Sequence, residues 1–508
     1  MTNVLEYLEN SARKFPEKTA VIDPHVQRSY ASFVQRAKKI GSALLTHAEP
    51  RQPVAVCMEK GVEALEAMMG VVYAGCFYVY IDPKQVPARF RQILAVCQPA
   101  CLVTDQPEKI RATAENVKIL YYKQLCESEQ DENALTSVRA QSMDIDPLYC
   151  NFTSGSTGVP KGVLVSHRSV IDFMNYFPKL FEITEADVLG NQAPFDFDVS
   201  VKDIYSAFKK SATLVLIPKT YFSIVTQLLD YLCEQHVTTL IWAVSALCLV
   251  SQFKGLDYRI PADVNKILFS GELMPVKYLR QWQASLPDAH YVNLYGPTEI
   301  TCNCTYYQIC RSFGLEEQIP IGRAFPNEKV FLLDEQDREI TEAGISGELC
   351  VSGTALALGY YRNGEQTRNA FVQNPLNACY PERIYRTGDL ARYDRDGNLL
   401  FAGRRDFQIK FMGHRIELEE IEAVMGSMKD VQRACCSFDT EKNHIVGFYS
   451  GEMEPHVLKK ALFDLLPVYM IPSELYQLEE IPLTPNGKMD RKRLMAGRNA
   501  GNGSQHAG

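Results

Sequence analysis

Between Asn151 and Gly162 the chain reads NFTSGSTGVPKG: three glycines, four Ser/Thr hydroxyls and one lysine in twelve residues, directly after an apolar run. Glycine-rich turns leave backbone N–H groups open to a ligand, and a lysine adds a point charge, so the loop suits phosphate oxygens. The same composition also makes an ordinary solvent turn, and the loop alone does not separate the two. A Walker A loop it is not, because Pro160 precedes Lys161 and Gly162 follows it, where that motif needs Gly and Ser/Thr. A second stretch with chemical potential is QAPFDFDVSVKDIYSAF, which sets Asp196, Asp198 and Asp203 in apolar surroundings with Lys202 four residues after Asp198. A buried carboxylate is costly unless it meets a cation, and residues four apart share a face if the segment is helical.

The elements that must position these groups alternate along most of the chain. VLEYLENSARKF and YASFVQRAKKIGSALLTHA carry apolar residues at three-to-four spacing, whereas PVAVCM, CLVTD, ATLVLIP, TTLIWAV and KILFSG are short apolar or β-branched runs between turn residues. That alternation predicts an α/β fold with largely parallel sheets. From about Ile319 the pattern becomes strand and turn, with a D-x-D-G hairpin turn at Asp394 to Gly397. After Gly403 it passes from polar turn to strand to amphipathic helix, and a compact α+β tail follows; the last residues, GRNAGNGSQHAG, are small and polar and predict a disordered end.

Composition narrows the function classes. A chain of 508 residues exceeds one core, and about 150 residues per domain gives two to four units. With 46% hydrophobic and 22% charged residues it is globular, and a net charge of −8 gives no basic surface for nucleic acid or anionic lipid. No apolar run reaches transmembrane length, and Met1 leads into TNVLEYLENSARKFPEK without a secretory signal pattern. The fifteen cysteines are scattered, with no pairs at zinc-ligand spacing, so they read as reduced thiols of a cytoplasmic protein without membrane insertion.

Five motifs, in order, give the loop its context: TSGSTGVPKG (Thr153 to Gly162), NLYGPTE (Asn293 to Glu299), YRTGDL (Tyr385 to Leu390), GRRDFQIKFMGHRIELEEIE (Gly403 to Glu422) and PNGKMDR (Pro485 to Arg491). Singly, each residue has a bland reading: Asp389 as a turn former, Lys488 as a solvated surface lysine, Tyr295 as a packing residue. Together they resemble the motifs of the ANL superfamily of adenylating enzymes, which includes acyl- and aryl-CoA ligases, luciferases and the amino-acid adenylation domains of peptide synthetases. The resemblance covers nearly the whole chain. It implies a large N-terminal domain (1–405) of packed mixed or parallel sheets with helices and a small β-subdomain, a hinge at Asp406, and a small mobile α+β C-terminal domain (406–496), with 497–508 as the tail.

The resemblance also implies a two-step acid–thiol ligase reaction. A carboxylate attacks the α-phosphorus of ATP to give an acyl-adenylate and pyrophosphate, and a thiol then takes the acyl group and releases AMP. Two anions meet in the first step, so cations must neutralise them. By resemblance, Thr153, Ser154, Gly155, Ser156, Thr157 and Lys161 wrap the β- and γ-phosphates, Tyr295 stacks on adenine, and Asn293 lies near its amine. Thr298 bonds the α-phosphate, Glu299 holds Mg²⁺, Asp389 receives the ribose hydroxyls with Arg404 assisting, and Lys488 bridges the carboxylate and the α-phosphate. His167, beside a strand end, reads as a structural residue.

Amino-acid-activating members carry an F-D-x-S aspartate for the substrate ammonium, and here Phe197-Asp198-Val199-Ser200 matches, which points to an amino acid. Carrying the side-chain pocket across gives Val199, Lys202, Trp242, Leu268, Ser270, Leu294, Cys302 and Asn303. Lys202 could meet an acidic substrate side chain or simply point to solvent. The implied acceptor is the phosphopantetheine thiol of a carrier protein. No carrier motif follows Arg493, so the carrier is a separate protein or has been cut away. Stand-alone D-alanine:carrier-protein ligases share the length and a similar FDxSVxDIY segment but usually differ at the Lys202 and Ser270 positions; acyl- or aryl-CoA ligases and a non-catalytic binding module are the other readings.

Overall fold

The computed structural model describes residues 1–155, 159–483 and 489–500. It divides into two compact units. The first comprises Met1–Pro83, Cys97–Asn151 and Gly162–Arg405; the second comprises Lys84–Val96, Phe152–Lys161 and the chain from Asp406 onward.

The first unit holds three sheets. A nine-stranded sheet runs, in spatial order, Arg323–Ala324, Thr305–Gln308, His290–Tyr295, Lys266–Ser270, Thr239–Ala243, Val188–Asn191, Thr213–Leu216, Thr19–Ile22 and Gln27–Ser29. Its central pairs are parallel and its edges antiparallel. Apolar runs such as TLIWA and KILFS belong there because a parallel sheet is covered on both faces. A seven-stranded sheet, mostly parallel, is built around Pro53–Cys57, Phe77–Tyr80 and Cys101–Thr104. The third sheet is six-stranded and antiparallel, and contains the hairpin from Arg383–Tyr393 to Leu399–Arg404. Its turn has Gly397 at φ +77°, a conformation that favours glycine.

The helix Val199–Lys210 is almost wholly inside the core. Val201, Ile204, Tyr205 and Phe208 join one apolar cluster with Tyr78 and Tyr149 of the seven-stranded sheet and Leu268 and Leu294 of the nine-stranded one. Tyr205 and Tyr78 share a hydroxyl hydrogen bond of 3.3 Å. The opposite face of the nine-stranded sheet packs into a second cluster, with Trp242, Phe269 and Trp282.

In the second unit a hairpin, Gln408–Phe411 with His414–Glu417, leads into the helix Leu418–Gly426. That helix buries Leu418, Ile421 and Met425 with Leu458 and Leu462 of the helix Pro455–Leu465. The three-stranded sheet of Val431–Asp439, His444–Gly451 and Glu474–Leu478 completes the core. A final helix, Arg491–Ala500, corrects the expected disorder at 497–500: Arg498 ion-pairs with Asp439 at 2.7 Å and Glu474 at 3.2 Å, which anchors the last turn. The remainder of that expected tail, 501–508, lies outside the described residues. No helix among the described residues is long and apolar enough to cross a membrane, and all fifteen cysteines are free.

Candidate active site

Asp198 stands at the N-cap of the helix Val199–Lys210, already in helical geometry, and its side chain makes no capping bond. The carboxylate is therefore not spent on the helix terminus, the commonest use of an aspartate there. One turn on, Lys202 is only 1% exposed, so the solvent-facing alternative does not hold. Its Nζ donates to Ser270 Oγ at 3.2 Å and to Asn303 Oδ1 at 2.8 Å. Ser270 ends the strand Lys266–Ser270, in register with Leu294, and Leu268 lies two residues back on the same face.

Asn303 reaches Lys202 from a strained loop. Thr301 and Cys302 have φ of +52° and +76°, and the Thr301 hydroxyl donates to Ala355 O at 2.6 Å. Gly296 lets this loop come close: a Cβ there would lie 2.5 Å from the Asn303 Cα. The Cys302 thiol donates to the Asp198 carbonyl at 3.0 Å, closing the ring of Asp198, Lys202, Ser270, Cys302 and Asn303. Val199, first residue of the helix, is half-buried beside them in sequence. Burial lowers the pKa of Lys202 despite the opposing charges of Cys302, Asp198 and Asp203, and drives that of Cys302 well up. Burial likewise pushes Asp203 up to about 7, against the pull of its hydrogen bond from Asn191.

Trp242 does not join this group. It sits on the other face of the sheet, with its indole N–H donating to Gly190 O at 2.7 Å and its ring 5.3 Å from Phe222. The pleat gives the reason. Trp242 pairs with Phe269 in register, whereas Ile241 pairs with Leu268 and Ala243 with Ser270, so Ile241 and Ala243 occupy the pocket side. Strict alternation against KILFS was the signal in the sequence that could have found them.

A second constellation lies in the same unit. Asp389 and Arg404 face each other across the hairpin and form an ion pair, and the Tyr295 hydroxyl donates to the same carboxylate. Arg404 also donates to Thr387 O at 3.3 Å. Tyr295, expected to stack on adenine, here lies 6.4 Å from the Phe401 ring, and burial with the Asp389 charge raises its pKa. Asn293 donates to Pro320 O at 2.8 Å.

Thr298 opens the 3₁₀ turn Thr298–Ile300. Glu299 is fully buried and accepts from the Tyr360 hydroxyl at 2.8 Å, a partner that nothing in the sequence announces. Among the described residues no three His, Cys, Asp or Glu side chains cluster as metal ligands. The donor set here is one carboxylate with neighbouring hydroxyls, which suits a hard cation drawing its other ligands from water and phosphate, as Mg²⁺ does.

In the second unit, Thr153 has a buried hydroxyl with no partner among the described residues. Ser154, expected to wrap phosphate, donates instead to Arg415 O at 2.8 Å and accepts from Glu417 N at 3.2 Å. The Gly155 N–H donates to Glu420 at 3.2 Å, and Lys161 Nζ lies 3.8 Å from Glu417. Both groups thus already face carboxylate oxygens. Glu420 is further held by Arg89 at 2.6 Å. Asp406 opens this unit's last segment and accepts from Gln408 N at 3.2 Å. Ser156, Thr157 and Lys488 lie outside the described residues. His167, in the first unit, accepts from Val4 N at 3.3 Å, and burial lowers its pKa to about 3, as suits a structural neutral imidazole.

A family model described as AMP-binding enzyme matches residues 8–361. Bacitracin synthase 1 of Bacillus licheniformis is 32% identical over 96% of this chain and 9% of its own length. Tyrocidine synthase 1 of Brevibacillus parabrevis is 30% identical over 97% of this chain and 45% of its own. The chain thus spans less than half the length of either. Among solved structures, holo-PA1221, an NRPS protein containing adenylation and PCP domains, is 26% identical with a TM-score of 0.84, covering 97% of this chain and 84% of that one.

Proposed function

The chain belongs to the AMP-binding enzyme family, and on that premise we propose that it activates an amino acid as an aminoacyl-adenylate and passes it to a carrier-protein thiol. One observation supports the choice of an amino acid: the F-D-x-S aspartate, Asp198, stands half-buried at the N-cap of the helix Val199–Lys210 without capping it, one turn before the buried Lys202. An ammonium against a partly desolvated carboxylate gives a charge-assisted bond that a fatty or aryl acid cannot make.

In the first half-reaction the substrate carboxylate oxygen bonds to the α-phosphorus of ATP, and the bond to the β-phosphate bridging oxygen breaks, releasing pyrophosphate. Asp389, oriented by Arg404 and Tyr295, receives the ribose hydroxyls. Thr298 bonds the α-phosphate, and Glu299 would hold Mg²⁺, which supplies charge neutralisation on the phosphates. The loop from Thr153 to Lys161 holds the β- and γ-phosphates, and Lys488 bridges the two reacting anions. In the second half-reaction a phosphopantetheine thiol of a carrier protein attacks the acyl carbon and AMP leaves. Alternation between the two states is assigned to a hinge at Asp406. Similarity to bacitracin and tyrocidine synthases, and to an NRPS protein containing adenylation and PCP domains, supports this acceptor.

The test is pyrophosphate exchange into ATP, measured for a panel of amino acids beside fatty and aryl acids. Exchange confined to amino acids supports the reading; exchange only with fatty or aryl acids, followed by CoA-dependent release, contradicts it.

A further inference from the structure

Glu299 lies on the short 3₁₀ turn Thr298–Ile300, which has too few hydrogen bonds of its own to hold a side chain in one place. The segment that follows Gly353 does this instead, and binds the turn at three points. The Thr301 hydroxyl donates to Ala355 O at 2.6 Å, Ala357 N donates to Glu299 O at 2.8 Å, and the Tyr360 hydroxyl donates to Glu299 Oε1 at 2.8 Å. Main chain and side chain of the same buried glutamate are thus held by one stretch of chain.

Tyr360 is itself fixed from several sides. Its strand, Gly359–Tyr360, pairs antiparallel with Lys161–Ser166, with Tyr360 opposite Val163. Leu358 N donates to Leu164 O at 2.8 Å, and Tyr361 N to Gly162 O at 2.7 Å. Tyr360 N donates to the Thr367 hydroxyl at 2.9 Å, and its ring meets Phe371 edge-on with 5.8 Å between centroids. Gly359, at φ +135°, permits this approach, because a Cβ there would fall 2.5 Å from Thr367 Cγ2. The hydroxyl therefore reaches Glu299 from a ring that is buried and held on both its backbone and its face.

A phenol is a donor that brings no positive charge. Arg404 neutralises the carboxylate that it holds at Asp389, whereas the Tyr360 hydroxyl orients one oxygen of Glu299 and adds no cation of its own, which suits a carboxylate that must bind a hard metal ion. The strand Lys161–Ser166 is also the one that leaves the glycine-rich loop, so its register fixes the tyrosine that fixes the glutamate.

We propose that Tyr360 is a positioning residue for adenylation, setting the Glu299 carboxylate for Mg²⁺ and tying it to the strand that leaves the glycine-rich loop. The proposal rests on the reading of Glu299 as the metal ligand given above.

Tyr360→Phe keeps the ring and removes only the hydroxyl. Mn²⁺ affinity is read from the loss of the free-ion EPR signal as the protein is titrated with α,β-methylene-ATP present, and half-saturating Mg²⁺ from pyrophosphate exchange. Both should weaken by roughly ten- to a hundredfold, the usual cost of losing the hydrogen-bond partner of a metal ligand. The KM for the amino acid and thiol transfer from preformed adenylate should stay as in the parent. An unchanged metal dependence, an equal loss in all four readouts, or loss of the cooperative urea transition would assign the hydroxyl to structure alone and overturn the proposal. Glu299→Gln tests the premise separately: it should weaken Mn²⁺ at least as much, and Mn²⁺ binding equal to the parent's would overturn the metal reading of Glu299 itself.

Discussion

The side-chain pocket and the nucleoside corner use the same materials, a buried carboxylate and a buried cation, and finish them differently. At the corner, Asp389 is satisfied before any ligand arrives: Arg404 pairs with it across the hairpin and Tyr295 donates to it. In the pocket, Lys202 and the carboxylates around it are kept apart by neutral residues, with Ser270 and Asn303 on the lysine and Asn191 on Asp203. A self-paired site holds its geometry and can serve every substrate alike. A site whose buried charges act on one another without a direct ion pair at Lys202 is sensitive to the charge of whatever enters it. On this view the corner takes the part of the reaction common to all acids, and the pocket decides which acid enters.

The largest expected effect is at the pocket entrance. Asp198→Ala should lower amino-acid-dependent exchange on the order of 10²- to 10³-fold while ATP binding, followed by equilibrium titration, persists, because only the ammonium's counter-charge is lost. Unchanged exchange would place the ammonium elsewhere.

Next is the corner. Arg404→Met leaves the 2%-exposed Asp389 side chain without its cation, and breaking such a buried pair costs roughly 3–5 kcal/mol of stability. Urea unfolding should show this loss, with exchange falling by a similar factor for every accepted amino acid. A change in substrate ranking would mean that the two regions are not separate in function.

Asp203 gives a pH signature to the pocket alone. Burial raises its folded pKa to about 7, above the unfolded value, so between pH 4 and 7 the folded state holds a proton that the unfolded state has lost. Stability from this group therefore falls as pH rises through that window. Asp203→Asn, which can keep the bond from Asn191, should gain stability relative to the parent from pH 4 to 7 and level off above. A constant difference across the window would remove the buried-carboxylate account.

The smallest effect expected is on the stability of Lys202→Met. Removing a buried cation lifts a desolvation penalty but leaves two neutral acceptors unpaired, and these terms oppose each other. The midpoint of urea unfolding should correspond to a change within about 1 kcal/mol, far below that of Arg404→Met. A loss as large as at Arg404 would mean that Lys202 is paired after all.

The same contrast explains what the sequence made legible. Strand and helix types followed from apolar periodicity, and the five motifs located Asp389, Arg404, Tyr295 and Glu299, as the F-D-x-S segment located Asp198, because their chemistry is written into short local stretches. Lys202 was placed beside Asp198 by helical spacing, but its burial was not legible, since burial depends on a loop a hundred residues away. Asn303 reaches the lysine only because Gly296 admits that loop and Thr301 and Cys302 take positive φ. Trp242 was misplaced for a simpler reason: a one-residue error in a strand exchanges its two faces. The order at 497–500 was hidden because Arg498 is held by Asp439 and Glu474, both remote in sequence.

The central claim is that an amino acid, chosen by the pocket, is joined to AMP. It is tested most directly by one competition experiment. The protein is incubated with ATP, Mg²⁺ and an equimolar mixture of the proteinogenic amino acids with representative fatty and aryl acids, and the adenylate is trapped with hydroxylamine and identified by mass. The account predicts an aminoacyl hydroxamate as the main product. A fatty- or aryl-acyl hydroxamate as the main product would contradict it.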